Sequence, residues 1–374
     1  MVPSRDVRLH RAQSLLITTS TAMTLPSCMR AVAHARYGGP DALQLVERPV
    51  PLPGPGEVLL RVHAASVNPA DWRRLRADPA FIRIGTGLRR PRRQVLGADV
   101  SGQVVAVGAG VDETAPGDPV FGDIEYGGFA EYACARADRL VPIPPHVPFE
   151  AAAAVPLAGT TALQALRLFG GVRPGQRVLV NGASGGVGTL AVQLAVAGGA
   201  EVTAVCGGRN AAMVRGLGAA RVVDYTRERP LPAGETFDLV LDLVGTLSIA
   251  ELLHAVRPNG AAVVVGFAST GRLIRTALQA AWHRRMSGRN VTFLSARPDR
   301  SDLLHLAARM ERGELIPFID RRYPLSEVPE AVRYVMAGRA SGKVVVSIDE
   351  ETVPAVTAPR ERSSFLLIAP SPSS

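Results

Sequence analysis

Gln176 to Ala197, QRVLVNGASGGVGTLAVQLAVA, constrains this chain more than any other stretch. Arg177 to Val180 is a short, β-branched apolar run of the kind that forms a strand buried on both faces. It stops at Asn181-Gly182, and a turn of small residues follows: Ala183, Ser184, Gly185, Gly186, Val187 and Gly188. From Thr189 the apolar positions Leu190, Val192, Leu194 and Ala195 take up helical spacing, and Gly198-Gly199 closes the helix. Between a strand and a helix, such glycines let a pyrophosphate approach the backbone, where its charge meets the unpaired N–H groups of the helix start. The reading is a dinucleotide cradle at Ser184, Gly185, Gly186 and Val187. The alternative, for a glycine pattern taken alone, is an ordinary turn.

The rest of the chain supports two domains, as its 374 residues allow. From Met29 to about Glu150 short alternating stretches sit between proline-glycine breaks, which predicts a β-rich, partly open barrel. After Glu150 helices alternate with apolar strands at Val178–Val180, Glu201–Cys206, Arg221–Asp224, Asp238–Asp242 and Ala261–Gly266. That alternation is the mark of an α/β, doubly wound parallel sheet of the Rossmann type. Gly342 to Ile348 returns to strand character and could rejoin the first domain. Residues 1–28 read as an extension: a flexible tail, a start placed too early, or an organelle transit peptide. Residues 351–374, rich in Pro, Ser and Thr, read as a disordered tail.

Charge and cysteine content narrow the partners. The formal net charge is +9, but the arginines are scattered and lack the aromatic interleaving of a nucleic-acid reader, so no nucleic acid is expected. No apolar run approaches the ~18 residues that span a bilayer, and no membrane partner is expected. Cys28, Cys134 and Cys206 are far apart and odd in number, which suits a reducing, cytoplasmic setting. Lys343 is the only lysine.

Five further segments, with the glycine turn VLVNGASGGVG (Val178–Gly188) after them, carry a resemblance: ASVNPADWR (Ala65–Arg73), VLGADVSGQVVAVG (Val95–Gly108), GDPVFG (Gly117–Gly122), GGFAEY (Gly127–Tyr132) and VPLAGTTALQAL (Val155–Leu166). In this order they resemble the medium-chain dehydrogenase/reductase superfamily over about Met29 to Ile348. The resemblance implies a GroES-like catalytic domain (29–150, completed by about 320–350) and a Rossmann NADP-binding domain (151–319). GLRRPRRQVLGADVSG (Gly87–Gly102) and IDRRYPLSEVPEA (Ile319–Ala331) are similar to the zinc-free quinone-oxidoreductase branch, in particular its reticulon-4-interacting-protein-like subgroup.

Zinc-dependent relatives carry a cysteine ligand where this chain has Asn68, and Gly-His-Glu where it has Gly97-Ala98-Asp99. Alanine cannot ligate a metal and an amide is a poor substitute for a thiolate, so no metal site is expected. Oxidising a simple alcohol needs a Lewis acid to hold the developing alkoxide. Without one, hydride transfer suits acceptors that already delocalise negative charge, such as quinones and α,β-unsaturated carbonyls, steadied by hydrogen bonds.

The cofactor expected is NADP(H). After the strand Glu201–Cys206 comes Gly207-Gly208-Arg209-Asn210, with Arg209 able to grip a phosphate in place of the carboxylate of an NAD site. The resemblance adds Tyr225 at the adenosine end, Thr160 near the nicotinamide amide, Val244 and Phe267 at carboxyl ends of strands, and Lys343 in a turn facing the cleft. Arg209 could equally be a solvated helix-start arginine, and Tyr225 could simply pack at a strand end. On the substrate side, Asn68 is the candidate hydrogen-bond donor, its alternative being a cap on the following turn. Asp71 reads as a structural contact or a cap on that turn, and Tyr126 as a fallback proton donor because Phe81 stands near where related enoyl reductases carry a tyrosine. The function expected is an NADPH-dependent quinone or enone reductase acting on a small molecule. The alternatives are an alcohol dehydrogenase of the same superfamily and a non-catalytic NADPH-binding redox sensor. The resemblance implies a homodimer through the edge near Asn290 to Leu294.

Overall fold

The computed structural model describes residues 25–232, 234–265 and 290–348. Phe267 and the two terminal segments, 1–24 and 349–374, lie outside the described residues.

The first half is β-rich. Strands β1 (Cys28–Ala33) and β2 (Gln44–Pro49) form an antiparallel pair. The larger sheet is built on β3 (Glu57–Val67), β4 (Asp99–Val107), β5 (Pro119–Asp123), β6 (Tyr132–Arg136) and β7 (Leu140–Pro142). Helices α1 (Pro69–Arg76) and α2 (Ile82–Thr86) fill the connection from β3 to β4. Alternation along β3 buries Val58, Leu60 and Val62 in one apolar cluster with Val100, Val104 and Phe129, which is how a period-of-two pattern makes a core.

Helices α3 (Phe149–Ala153) and α4 (Pro156–Arg167) lead into the second half. There β8 (Arg177–Asn181), β9 (Glu201–Cys206), β10 (Arg221–Asp224), β11 (Phe237–Asp242), β12 (Val256–Val264) and β13 (Asn290–Phe293) lie parallel in the order β10-β9-β8-β11-β12-β13. The switch point falls between β8 and β11, the place where open α/β sheets bind ligands. Helices α5 (Gly186–Ala197), α6 (Ala211–Gly216), α7 (Ile249–Ala255) and α8 (Arg300–Glu311) cover the faces. Val178 and Val180 pack against Leu190 and Leu194 on one side, while Leu179 packs with Val240 and Leu252 on the other. Both faces are therefore apolar, as the unbroken run Val178–Val180 requires.

The chain then returns. β14 (Ile319–Pro324), helix α9 (Val328–Met336) and β15 (Lys343–Ser347) follow, and β15 pairs antiparallel with β3, Val344 opposite Val67. The larger barrel sheet thus holds seven strands. No helix among the described residues is long and apolar enough to cross a membrane.

Candidate active site

The return strand brings three distant residues together. Asn68 ends β3 in an extended conformation and occupies the N-cap of α1, its N–H donating to Asp71 Oδ2 at 2.8 Å. Its side chain is only 3% exposed. Asn68 Nδ2 donates to Asp99 Oδ2 at 2.9 Å, and Asn68 Oδ1 accepts from Lys343 Nζ at 2.7 Å. The ammonium also stands 3.4 Å from Asp99 Oδ2. An ammonium only donates and a carboxylate only accepts, so the amide has one workable orientation. Asp99 further accepts from Ser66 Oγ at 3.1 Å and, at the start of α4, from Leu157 N at 3.0 Å. Four donors thus converge on one fully buried carboxylate.

The same lysine touches the glycine turn. Gly342 N donates to Ser184 O at 2.8 Å, and Lys343 Cδ lies 3.0 Å from where a Cβ on Gly186 would stand. Sequence analysis assigned Lys343 to the cofactor. The structure lays its stem along the first turn of α5 and commits its charge to Asn68 and Asp99. One side chain therefore spans from the glycine cradle to Asn68.

The cradle itself fits a dinucleotide. Helix α5 begins at Gly186, three residues before the helical spacing starts at Thr189, because the glycines carry no apolar side chain to register the period. Thr189 N makes the first intrahelical bond, to Gly185 O at 2.9 Å, so the N–H groups of Gly186, Val187 and Gly188 precede it as an anion-facing end. Gly182 has φ +88°, and a Cβ on Gly188 would collide with Gly182 O. Tight turn and close helix–strand packing are what those glycines supply.

The other predicted cofactor positions lie at the carboxyl ends of the strands or on α4. Tyr225, 58% exposed, stands beside Gly207, whose Cβ would be 3.6 Å from the hydroxyl. Arg209 is exposed, donates from Nη2 to Arg339 O at 2.8 Å, and borders a cavity with Arg321, Arg333, Arg339 and the carboxylates Glu327 and Glu330. Val244 packs on Gly182 at the switch point. Thr160 is buried on α4, one turn beyond Leu157, whose N–H meets Asp99.

Two acidic residues went unseen in the sequence. The stretch after β9 reads as free of carboxylates, yet Asp224 at the end of β10 reaches it. Its Oδ1 accepts from Gly208 N at 2.9 Å and from Thr226 N and Oγ1 at 3.0 and 2.7 Å. These donors, Thr226 first, hold the Asp224 carboxyl below its ordinary range. The ribose end of the cleft therefore carries both Arg209 and an anion. Asp242 is the second. It takes Asn181 Nδ2 at 2.8 Å and the N–H groups of Gly245 and Leu247, fixing the loop on which Val244 sits. Strand-end polar residues were the available signal in both cases.

Two carboxyls beside Asp99 are unusual acids. Burial pushes Asp71 up to about 6, although the N–H groups of Asn68 and Gly97 partly offset it. Burial, with the nearby Asp99 charge, pushes Asp123 up to about 6 as well. Their neutral forms are favoured in the folded protein, so their contribution to stability is complete below about pH 4 and is lost as pH rises through about 6. Asp123→Asn is expected to remove part of this dependence. Unfolding free energies of wild type and variant, from urea titrations, should diverge between pH 4 and pH 6 by on the order of 2 kcal/mol, the variant gaining at the upper end. Parallel curves would refute the assignment. Tyr126 lies on the loop after β5, its ring 4.6 Å from the Arg74 guanidinium. Burial raises its hydroxyl above the ordinary range, so it stays protonated at neutral pH.

Comparisons with known proteins agree with this geometry. A family model for the alcohol dehydrogenase GroES-like domain matches residues 54–145, and one described as zinc-binding dehydrogenase matches 217–346. The chain is 34% identical to a chloroplastic quinone-oxidoreductase QR1 of Triphysaria versicolor, covering 85% of this chain and 98% of that protein. It is 32% identical to the mitochondrial NAD(P)H oxidoreductase RTN4IP1 of Mus musculus, over 88% and 91%. A solved quinone oxidoreductase from Coxiella burnetii superposes with a TM-score of 0.76 at 32% identity, covering 86% of this chain and all of that one. With a GroES-like barrel, a Rossmann sheet and a glycine cradle facing Asn68 across Lys343, the chain belongs to the quinone-oxidoreductase-like part of the medium-chain dehydrogenase/reductase superfamily and is an NAD(P)H-dependent oxidoreductase.

Proposed function

We propose that this protein is a zinc-independent, NADPH-dependent reductase of quinones and α,β-unsaturated carbonyls. The observation that carries the reading is Lys343. Its ammonium stands 2.7 Å from Asn68 Oδ1, at the position where zinc-dependent relatives carry a cysteine ligand, and 3.4 Å from Oδ2 of Asp99, which follows Ala98 in the segment that matches their Gly-His-Glu. A resident cation there repels a second one, and an amide oxygen already engaged is a weak ligand. Among the described residues no group of three or more His, Cys, Asp or Glu could hold a metal ion. The donor set does not fit zinc.

Bound at the cradle, NADPH supplies the hydride. The chain's own residues do the rest. Asn68 Nδ2 gives one hydrogen to Asp99, and its second is left to steady a developing enolate or quinol oxygen. Lys343 and Asp99 hold the amide in that orientation, and Tyr126 is the protonated hydroxyl on the barrel side. Arg209 favours the 2′-phosphate by forked contact, acting against the neighbouring Asp224 charge. Among the described residues β13 is the last strand on its side of the sheet, and an edge of that kind suits a homodimer. Three free cysteines accord with the cytoplasm.

Initial rates with a panel of quinones, enones, simple ketones and alcohols test the reading, with both cofactors and with Arg209→Ala. Quinones and enones should turn over with NADPH while simple ketones do not. Arg209→Ala should raise KM for NADPH about tenfold or more and leave NADH nearly unchanged. Equal effects on both cofactors would remove the phosphate assignment. Alcohol oxidation with stoichiometric zinc would make the protein an alcohol dehydrogenase. NADPH binding without turnover would make it a sensor.

A further inference from the structure

Between Trp72 and Ala98 the chain carries eight arginines and one acid, Asp78. Part of this stretch leaves the barrel as an excursion around α2. Tyr37 anchors it, its hydroxyl 2.7 Å from Thr86 Oγ1 and donating to Gly87 O at 2.7 Å, and Arg92 N closes it onto Thr86 O at 2.8 Å. The excursion is held in place, and although Pro91 is buried, most of its large side chains are exposed. Phe81, Ile84 and Leu88 are 63, 76 and 71% exposed. Arg89, Arg90, Arg92 and Arg93 are exposed, and none makes an ion pair with a described residue. Elsewhere on the surface arginines pair readily, as Arg136 does with Asp138, Arg312 with Glu314 and Arg322 with Glu150.

We propose that residues 80–93 form a docking surface for an anionic lipid bilayer. Three exposed large apolar side chains and, within a few residues of them, four exposed arginines with no ion pair among the described residues are the combination that lies in a membrane interface, apolar groups at the acyl boundary and guanidinium groups on headgroup phosphates. Charge complementarity selects this occupant. A second copy meeting the surface about a two-fold axis would set arginines against arginines. A single-stranded nucleic acid would call for a platform of aromatic rings, and Phe81 is the one exposed aromatic of the excursion. The contact lies on the membrane surface and crosses nothing, which amends the expectation of no membrane partner.

Co-sedimentation of the full chain with vesicles tests the proposal. Vesicles of phosphatidylcholine alone are compared with vesicles in which a quarter is phosphatidylglycerol, at about 0.1 M and about 0.5 M salt. Binding to the anionic vesicles should be at least tenfold stronger at the lower salt and fall at the higher. Replacing the four arginines together (Arg89→Gln, Arg90→Gln, Arg92→Gln, Arg93→Gln) should weaken it tenfold or more. The triple variant Phe81→Ser, Ile84→Ser, Leu88→Ser should do likewise, both retaining NADPH affinity as evidence of folding. No preference for anionic vesicles would overturn the proposal, as would variants that bind like wild type. Binding of polyuridylate without vesicle binding would assign the surface to RNA instead. A raised KM for a soluble acceptor in the arginine variant, without vesicle binding, would make the excursion a substrate lid. Vesicle binding needs no turnover, so its failure leaves the reductase reading standing.

Discussion

Asn68→Ala should lower kcat/KM for quinone and enone acceptors about 100-fold while leaving KM for NADPH within a factor of two or so. The basis is the amide's fixed orientation: Lys343 on the oxygen, Asp99 on one hydrogen, the other hydrogen left for the acceptor. A donor aimed before the reaction starts contributes on the order of 3 kcal/mol to an oxyanion-like transition state. The loss should fall mainly on kcat, because a quinone or enone oxygen gains most of its charge only as hydride arrives. Asn68→Asp discriminates further. It keeps the volume, removes the donor and adds a second carboxylate beside Asp99, so it should be at least as slow as alanine. Activity within threefold of wild type in the alanine variant would show that some other group meets the acceptor oxygen.

Lys343→Met should destabilise the protein by about 3 kcal/mol, read as a shift of the urea midpoint. Removing one partner of a buried pair strands the other, and such losses run to about 3–5 kcal/mol. The low end applies because Asp99 keeps Ser66 Oγ, Asn68 Nδ2 and Leu157 N. The variant should also lose turnover, since the Asn68 amide oxygen then has no donor and Asp99 alone holds the side chain in place. Adding Asp99→Asn removes the stranded charge. The double variant should recover more than half of the lost stability without recovering turnover, which separates the fold's need for charge balance from the reaction's need for an oriented amide. A single variant as stable as wild type would mean that the ammonium contributes nothing net.

What could be read in advance was local. The run Val178–Val180, the glycines and the apolar spacing from Leu190 placed strand, turn and helix, since each depends on neighbours within a few residues. Burial on both faces made β8 and β11 legible for the same reason. The exception was the helix start at Gly186, where side chains are absent and periodicity has nothing to register. The site's wiring was not legible. Asn68 and Lys343 are 275 positions apart, so no spacing rule connects them. Asp224 reaches Gly208 because β10 lies beside β9, a fact of sheet order and not of sequence separation. The arginines of residues 80–93 stand in the sequence among arginines scattered along the whole chain, and which of them lack an ion pair among the described residues depends on which carboxylates the fold brings near.

The pairing of β15 with β3 has a consequence for how the molecule is made. The first half emerges from the ribosome long before its closing strand, with the edge of β3 that later receives Val344 still bare. The parallel sheet of the second half draws all its described strands from one uninterrupted span and can assemble while synthesis continues. Asn68 is locked only when nearly the whole polypeptide has been translated, so nascent and prematurely terminated chains carry the nucleotide fold without a finished reaction centre.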